Sequence, residues 1–193
     1  MFADQLEDNL PHLRAFSRLL CKNTNLADDI VQDTCLKAWQ ARDSFDPKRG
    51  ALRPWLFRIM RNEYYQKCRR SWRSVNFDVM HFETALTTEC GLDARRDLSR
   101  MLRSISHLKP SQRDAFLLVV AAGFTYEEAG AVCDCSAGTI KSRVSRAREH
   151  VLERYHSDQP IKFEGETESL DGGDPLHRLE TYISKLCQER QAA

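Results

Sequence analysis

The chain has 193 residues, 41% hydrophobic and 30% charged, enough for one large domain or two small ones with real cores. Its net charge of +1 argues against a uniformly basic nucleic-acid coat, and no apolar run approaches the roughly 20 residues of a membrane span. The charge is distributed in blocks, however: residues 1–46 carry −3, 47–74 carry +8 (Glu63 is the only acid there), 111–135 carry −3, 136–156 carry +3 and 157–193 carry −4. Charge blocks are commonly solvated faces, but two basic blocks divided by neutral or acidic stretches suggest two phosphate-facing surfaces.

Apolar residues recur at helical spacing nearly throughout, so the expected fold is all-α. A first helix is expected from Pro11 to about Cys21, with Leu13, Phe16, Leu19 and Leu20 inward. A second, capped by Asn25, carries the stripe Ala27, Ile30, Val31, Thr34, Cys35, Ala38 and Trp39, which leaves Asp29, Gln32, Asp33 and Lys37 facing out. A turn-rich loop, Phe45 to Gly50, leads to a third helix from about Pro54 to Arg70. Its expected buried side is Trp55, Leu56, Ile59, Met60 and Tyr64; Arg58, Arg61, Asn62, Tyr65 and Arg69 spread over the other.

Residues 74–93 contain no Lys or Arg and four acids, and read as a flexible acidic linker. A helix over about 94–107 ends at Leu108-Lys-Pro110, and Ser111 caps the next, with Phe116, Leu117, Val119 and Val120 apolar and Gly123 as its stop. Thr125-Tyr-Glu-Glu128 is a capping box that opens a short helix with Ala129 and Val132 inward. After the turn Cys133 to Ser136, a basic helix runs from Ala137 to about Tyr155 with Ile140, Val144, Ala147 and Val151 inward. Two helices joined by a short turn, the second basic, spell a helix-turn-helix. Beyond it, 157–193 is an acidic tail in which Pro175 starts a possible amphipathic helix carrying Leu176, Leu179, Tyr182, Ile183, Leu186 and Cys187.

Seven cysteines, and acids at Asp4, Glu7 and Asp8 where a secretory leader would be basic and apolar, point to a cytoplasmic protein with reduced thiols. Cys133 and Cys135 have no second pair or nearby His to complete a metal set, so no metal and no cofactor are expected. No P-loop, Gly-rich cradle or nucleophile–base arrangement has supporting context, so no enzyme is expected.

Lys141, Ser142, Arg143, Ser145, Arg146 and Arg148 cover the outward arc of the last helix, with no acid among them to pair internally. A major groove suits such a helix: Arg pairs with guanine, and Lys and Ser take phosphates. The third helix mixes basic and aromatic residues, which suits phosphates and unpaired bases, and Asn62 offers a paired donor and acceptor to a base edge.

Asp29-Ile-Val-Gln-Asp33 with Lys37-Ala-Trp39, Trp55-Leu-Phe-Arg-Ile59 and Arg61-Asn62 resembles region 2 of the extracytoplasmic-function sigma factors. Leu108-x-Pro110, Arg113, Gly123 to Ala129 and Gly138 to Arg148 resemble region 4 of the same family, and the Gly123 to Gly130 run with the Cys-Asp-Cys turn resembles its general-stress-response, EcfG-type subgroup. The resemblance implies region 2 over 1–73, a linker over 74–93, region 4 over 94–156 and the tail over 157–193. It also implies a protein that binds core RNA polymerase, reads promoter DNA and answers to an anti-sigma factor, with no membrane partner. By the same resemblance Asp29, Gln32, Asp33 and Lys37 meet the β′ clamp helices. Arg58, Arg61, Asn62, Tyr65 and Gln66 open and read the −10 element, and Lys141, Ser142, Arg143, Ser145, Arg146 and Arg148 read the −35 element. The loop departs from the family at Pro47, where small polar residues are usual. The alternatives are a decoy that sequesters an anti-sigma factor, which would have no use for a basic recognition helix, and a plain helix-turn-helix regulator, which leaves the basic, aromatic helix over 53–70 unexplained.

Overall fold

The computed structural model describes residues 2–21, 23–48, 50–71, 100–157, 179 and 181, and the regular elements among them are all helical. The stretch 74–93, the start of the helix expected from 94, and most of the tail lie outside the described residues.

Helix α1 (Phe2–Leu20) starts well ahead of Pro11, which lies inside it. Proline there has no N–H for the Glu7 carbonyl. Both residues are exposed, so water can satisfy that carbonyl and the helix runs through. Leu13, Phe16, Leu19 and Leu20 are buried as expected. Helix α2 (Thr24–Gln40) is capped by Asn23 rather than Asn25: its side chain accepts from Asn25 N at 2.8 Å and Leu26 N at 3.4 Å. Buried Ser17 donates to the Ala27 carbonyl at 2.7 Å and ties α1 to the start of α2. Trp39 breaks the expected stripe and is 46% exposed. It lies too far round the helix to reach the core; instead Phe2 packs beside it and Arg42 lies over its ring at 5.0 Å.

Helix α3 (Leu52–Ser71) crosses both, with Leu56, Met60 and Tyr64 buried and Trp55 and Ile59 only partly so. Phe57, absent from the expected buried side, is among the most deeply buried side chains. It faces Phe16 at 5.0 Å on one flank and Phe124, from the second half of the chain, at 4.8 Å on the other.

In that second half, helix α4 is described over residues 100–106 and buries Met101, Leu102 and Ile105. Helix α5 (Pro110–Phe116) starts on Pro110, whose fixed φ suits a first turn; Lys109 is the cap residue, so Ser111 is not. A π-helical turn, Leu117–Ala121, follows, with Ala122 N donating to Leu117 O at 2.9 Å. Its wider winding shifts the helical phase. Leu117, Leu118 and Ala121 therefore face inward while Val119 and Val120 are half-buried, where an uninterrupted helix was expected to present the two valines. Gly123 ends the segment at φ 71°. Helices α6 (Tyr126–Cys133) and α7 (Ala137–Ser157) complete the fold; α7 packs on α5 and α6, and α6 packs on α3. The two halves thus meet along α3. In the tail, Leu179 is buried and Thr181 exposed.

Candidate nucleic-acid interface

The helix-turn-helix is fixed by local hydrogen bonds. Thr125 Oγ1 accepts from Glu128 N at 3.2 Å, and Glu128 Oε2 accepts from Thr125 N at 2.9 Å, which closes the capping box. Asp134 ends α6 in the left-handed region at φ 55°, and Cys135 N returns to Gly130 O at 3.0 Å. A Cβ on Gly130 would lie 2.6 Å from the Cys135 carbonyl oxygen, so this turn closes only over a glycine. Ser136 Oγ then accepts from Thr139 N at 3.2 Å at the start of α7.

Ile140, Val144, Ala147 and Val151 are buried, so the turn angle and this stripe together set which residues of α7 face solvent. Lys141, Ser142, Ser145 and Arg146 are exposed, and Arg143 and Arg148 are partly buried. Arg143 reaches back to Cys135 Sγ at 3.5 Å, and Ser142 Oγ donates to Thr139 O at 2.9 Å, leaving its lone pairs for a donor. The helix N-terminus adds partial positive charge beside these side chains. This is a basic convex ridge with donors aimed outward, suited to a groove lined with phosphates and base acceptors.

The candidates on α3 divide into two sets. Arg58 and Asn62 are exposed, and Gln66 is partly so. Beside Arg58 lies a cleft of about 520 Å³ lined by Phe45, Trp55, Glu127 and Glu128 among others, with the Phe45 and Trp55 rings 5.4 Å apart. Arg61 and Tyr65 instead turn toward the second half of the chain. Arg61 Nε donates to Asp114 Oδ2 at 2.7 Å, and Tyr65 OH donates to the same oxygen at 2.8 Å. Burial alone would lower the Arg61 pKa, but Asp114 beside it holds it above the ordinary arginine value. Burial and then Asp114 raise the Tyr65 phenol above its ordinary value, so it stays a donor.

Neighbouring contacts extend this seam. Arg53 donates to Ala122 O at 2.7 Å and lies over the Phe124 ring at 4.7 Å, and Arg113 donates to Tyr64 OH at 3.1 Å. Phe57, Asp114 and Phe124 were not among the sequence candidates, and Arg53, expected on the basic face of the third helix, turns into the seam instead. The opposite charges of blocks 47–74 and 111–135 were a visible signal that they could face each other.

On α2, Asp29, Gln32 and Lys37 are exposed and Asp33 is partly so. Lys67 bridges Asp33 at 2.8 Å and Asp29 at 3.8 Å, while Lys37 pairs with Glu63. Leu36, 57% exposed, adds an apolar contact point to the same helix. The face is acidic with an apolar centre, a fit for a basic helical partner. Among the described residues no group of three His, Cys, Asp or Glu could hold a metal, and no helix is long and apolar enough to cross a membrane.

Residues 6–74 match the family Sigma-70 region 2 and residues 98–151 match Sigma-70, region 4. Over 164 residues the chain is 40% identical to the ECF RNA polymerase sigma factor EcfG of Rhodopseudomonas palustris, covering 83% of this chain and 90% of that one. The RNA polymerase sigma factor NccH of Alcaligenes xylosoxydans is 34% identical over 139 residues, 68% of this chain and 74% of its own. Among solved structures, the sigma factor RpoE of Bartonella quintana, in complex with the anti-sigma factor NepR, aligns with a TM-score of 0.68 at 38% identity, covering 82% of this chain and 98% of that one. CnrH in complex with the cytosolic domain of CnrY aligns with a TM-score of 0.62 at 28% identity, covering 82% and 89%.

Proposed function

This chain belongs to the extracytoplasmic-function sigma factors of the sigma-70 family, and on that footing we propose how its surfaces divide the work. As a sigma factor it binds core RNA polymerase and directs initiation at specific promoters, under the control of an anti-sigma factor. Asp29, Gln32, Asp33 and Lys37 meet the β′ clamp helices. Arg58, Arg61, Asn62, Tyr65 and Gln66 open and read the −10 element, Asn62 by its amide on an extruded base. Lys141, Ser142, Arg143, Ser145, Arg146 and Arg148 read the −35 element. The protein acts in the cytoplasm and supplies specificity, not bond-making chemistry. Its likeness to a NepR-bound sigma factor supports a NepR-like anti-sigma partner, and stress-response promoters rest on the resemblance of the Gly123 to Gly130 run and the Cys-Asp-Cys turn to the EcfG-type subgroup.

One observation carries this division: a single chain presents two open basic faces, Arg58 with Asn62 on α3 and Lys141 with Arg146 on α7. Run-off transcription with purified core polymerase on a library of promoter fragments tests it. Transcripts starting downstream of a shared pair of elements are expected. A protein that binds core polymerase and gives no specific start would refute it.

A further inference from the structure

Apart from the two basic faces assigned above, a second cleft, of about 420 Å³, lies between the turn joining α4 to α5 and the C-terminal half of α7. Its volume falls within the roughly 300–1,000 Å³ of small-molecule sites. Its rim is rich in donors: His107 and Lys109 come from the turn, His150 and Arg154 from α7, and all four are exposed. Its floor is polar and uncharged, with Gln112 of α5 and Ser104 of α4 only 9% and 4% exposed. We propose that this cleft binds a small phosphorylated molecule bearing hydroxyl groups, a sugar phosphate or a nucleotide, with its phosphate on the rim and its hydroxyls on the floor.

The floor is short of partners. The Gln112 amide makes no hydrogen bond among the described residues, although the residue is nine-tenths buried. Such a group is costly to leave unpaired, and its two donors and one acceptor suit a hydroxylated ligand. Ser104 Oγ already donates to the Arg100 carbonyl at 3.1 Å, which leaves its lone pairs to accept from a hydroxyl. On the rim, the side chains of His107 and Lys109 have no partner among the described residues. Glu153 is the one acid among the described residues that line the cleft. It lies 3.8 Å from His150 Nδ1, too far for a hydrogen bond, and the histidine and glutamate side chains are 60% and 71% exposed, so it holds His150 loosely. Lys109 and Arg154 outnumber it, and each histidine keeps an N–H whatever its charge. A phosphate uses all of these donors at once, whereas an apolar helix laid over the mouth would bury the cations unpaired.

The test uses the full-length protein, titrated by calorimetry with ADP, ribose 5-phosphate, inorganic phosphate and ribose. ADP and ribose 5-phosphate should bind saturably with midpoints below about 1 mM, inorganic phosphate more weakly, and ribose not at all. At ten times its midpoint concentration ADP should raise the melting temperature by about 3–6 °C. Lys109→Glu, at an exposed side chain, should weaken ADP roughly tenfold or more. Arg146→Ala, on the DNA-reading half of α7, should leave the ADP midpoint unchanged. Gln112→Met should weaken ribose 5-phosphate and leave inorganic phosphate as it was; if that variant loses helicity, the preference of the native chain for ribose 5-phosphate over inorganic phosphate reads the same floor contact. No saturable binding of either phosphorylated probe overturns the proposal, as does binding that Lys109→Glu leaves intact. Equal weakening of ADP by Lys109→Glu and Arg146→Ala would show diffuse attraction to basic surface, and inorganic phosphate binding as tightly as ribose 5-phosphate would show a charged rim alone; both overturn it too.

Discussion

Lys37 on α2 and Glu63 on α3 form an ion pair in which the acid is almost fully buried and the lysine about half exposed, at 8% and 45% side-chain exposure. Glu63 is the sole acid in the basic block 47–74, and this pairing explains its place there: it fastens α3 to α2 from within. Lys37→Ala would strand a buried carboxylate and should lower stability by about 1–3 kcal/mol, read as a lower midpoint in urea. An unchanged midpoint would mean that Glu63 finds water or another donor.

Polymerase docking should depend on the open acids of the same helix. Among the described residues, Asp29 and Asp33 are bridged by Lys67 at a wet surface, a contact worth less than about 1 kcal/mol. Asp29→Arg with Asp33→Arg should leave helicity intact and abolish co-purification with core polymerase. Retained co-purification at native yield would move the docking surface elsewhere.

Asn62 is exposed on α3, so Asn62→Ala should change stability by no more than about 0.5 kcal/mol. On duplex promoters it should lose discrimination at one −10 position by roughly 1–3 kcal/mol, measured as relative open-complex formation across single-base variants. A uniform loss across all variants would assign Asn62 to the backbone instead.

On α7 the two central arginines should behave differently. Arg146 is exposed, so Arg146→Ala should weaken all promoters alike and lower the salt slope by about one, or else relax preference at one −35 position. Arg143 also braces the turn through Cys135 Sγ, so Arg143→Ala should add a small fall in melting temperature. Promoter-specific transcription at full strength after both substitutions would remove α7 from −35 reading. Gly130→Ala should damage the same unit from behind: its Cβ meets backbone at 2.6 Å, which forces α6 and α7 apart. A loss of about 1–3 kcal/mol in stability, with weaker −35 binding, is expected.

Burial, with Cys68 adding to it, pushes the Cys21 thiol up to about 12 from 9.0, and burial pushes Cys133 up to about 11. The folded protein therefore holds these protons where the unfolded chain releases them. Their contribution to stability is complete below pH 9 and is lost as pH rises from 9.0 through the folded values near 11 and 12. Urea midpoints should fall across that window. In native protein at pH 8, iodoacetamide should leave both thiols unmodified by mass spectrometry. Rapid alkylation of either would mean that the packing around it opens readily.

The sequence by itself determined the helical class, the capping box at Thr125, the inward stripe of α7 and the exposure of Lys141, Ser142, Ser145 and Arg146. Each rests on a period or a hydrogen bond within a few residues, so neighbours in the chain suffice to specify it. Pattern failed where the backbone left the ordinary helix or a distant segment intervened. The π-turn shifted the phase between Leu117 and Ala121, and Asn23 rather than Asn25 took the cap. Trp39 turned outward to Phe2 and Arg42. Tertiary packing alone decided which basic residues of α3 stay open. Arg58 and Asn62 lie on the same helix as Arg61 and Tyr65, but only the latter pair meets Asp114, which is 53 residues from Arg61. No local rule encodes that meeting, because it follows from how Phe57 and Phe124 bring the two halves together and leave a buried carboxylate in need of donors.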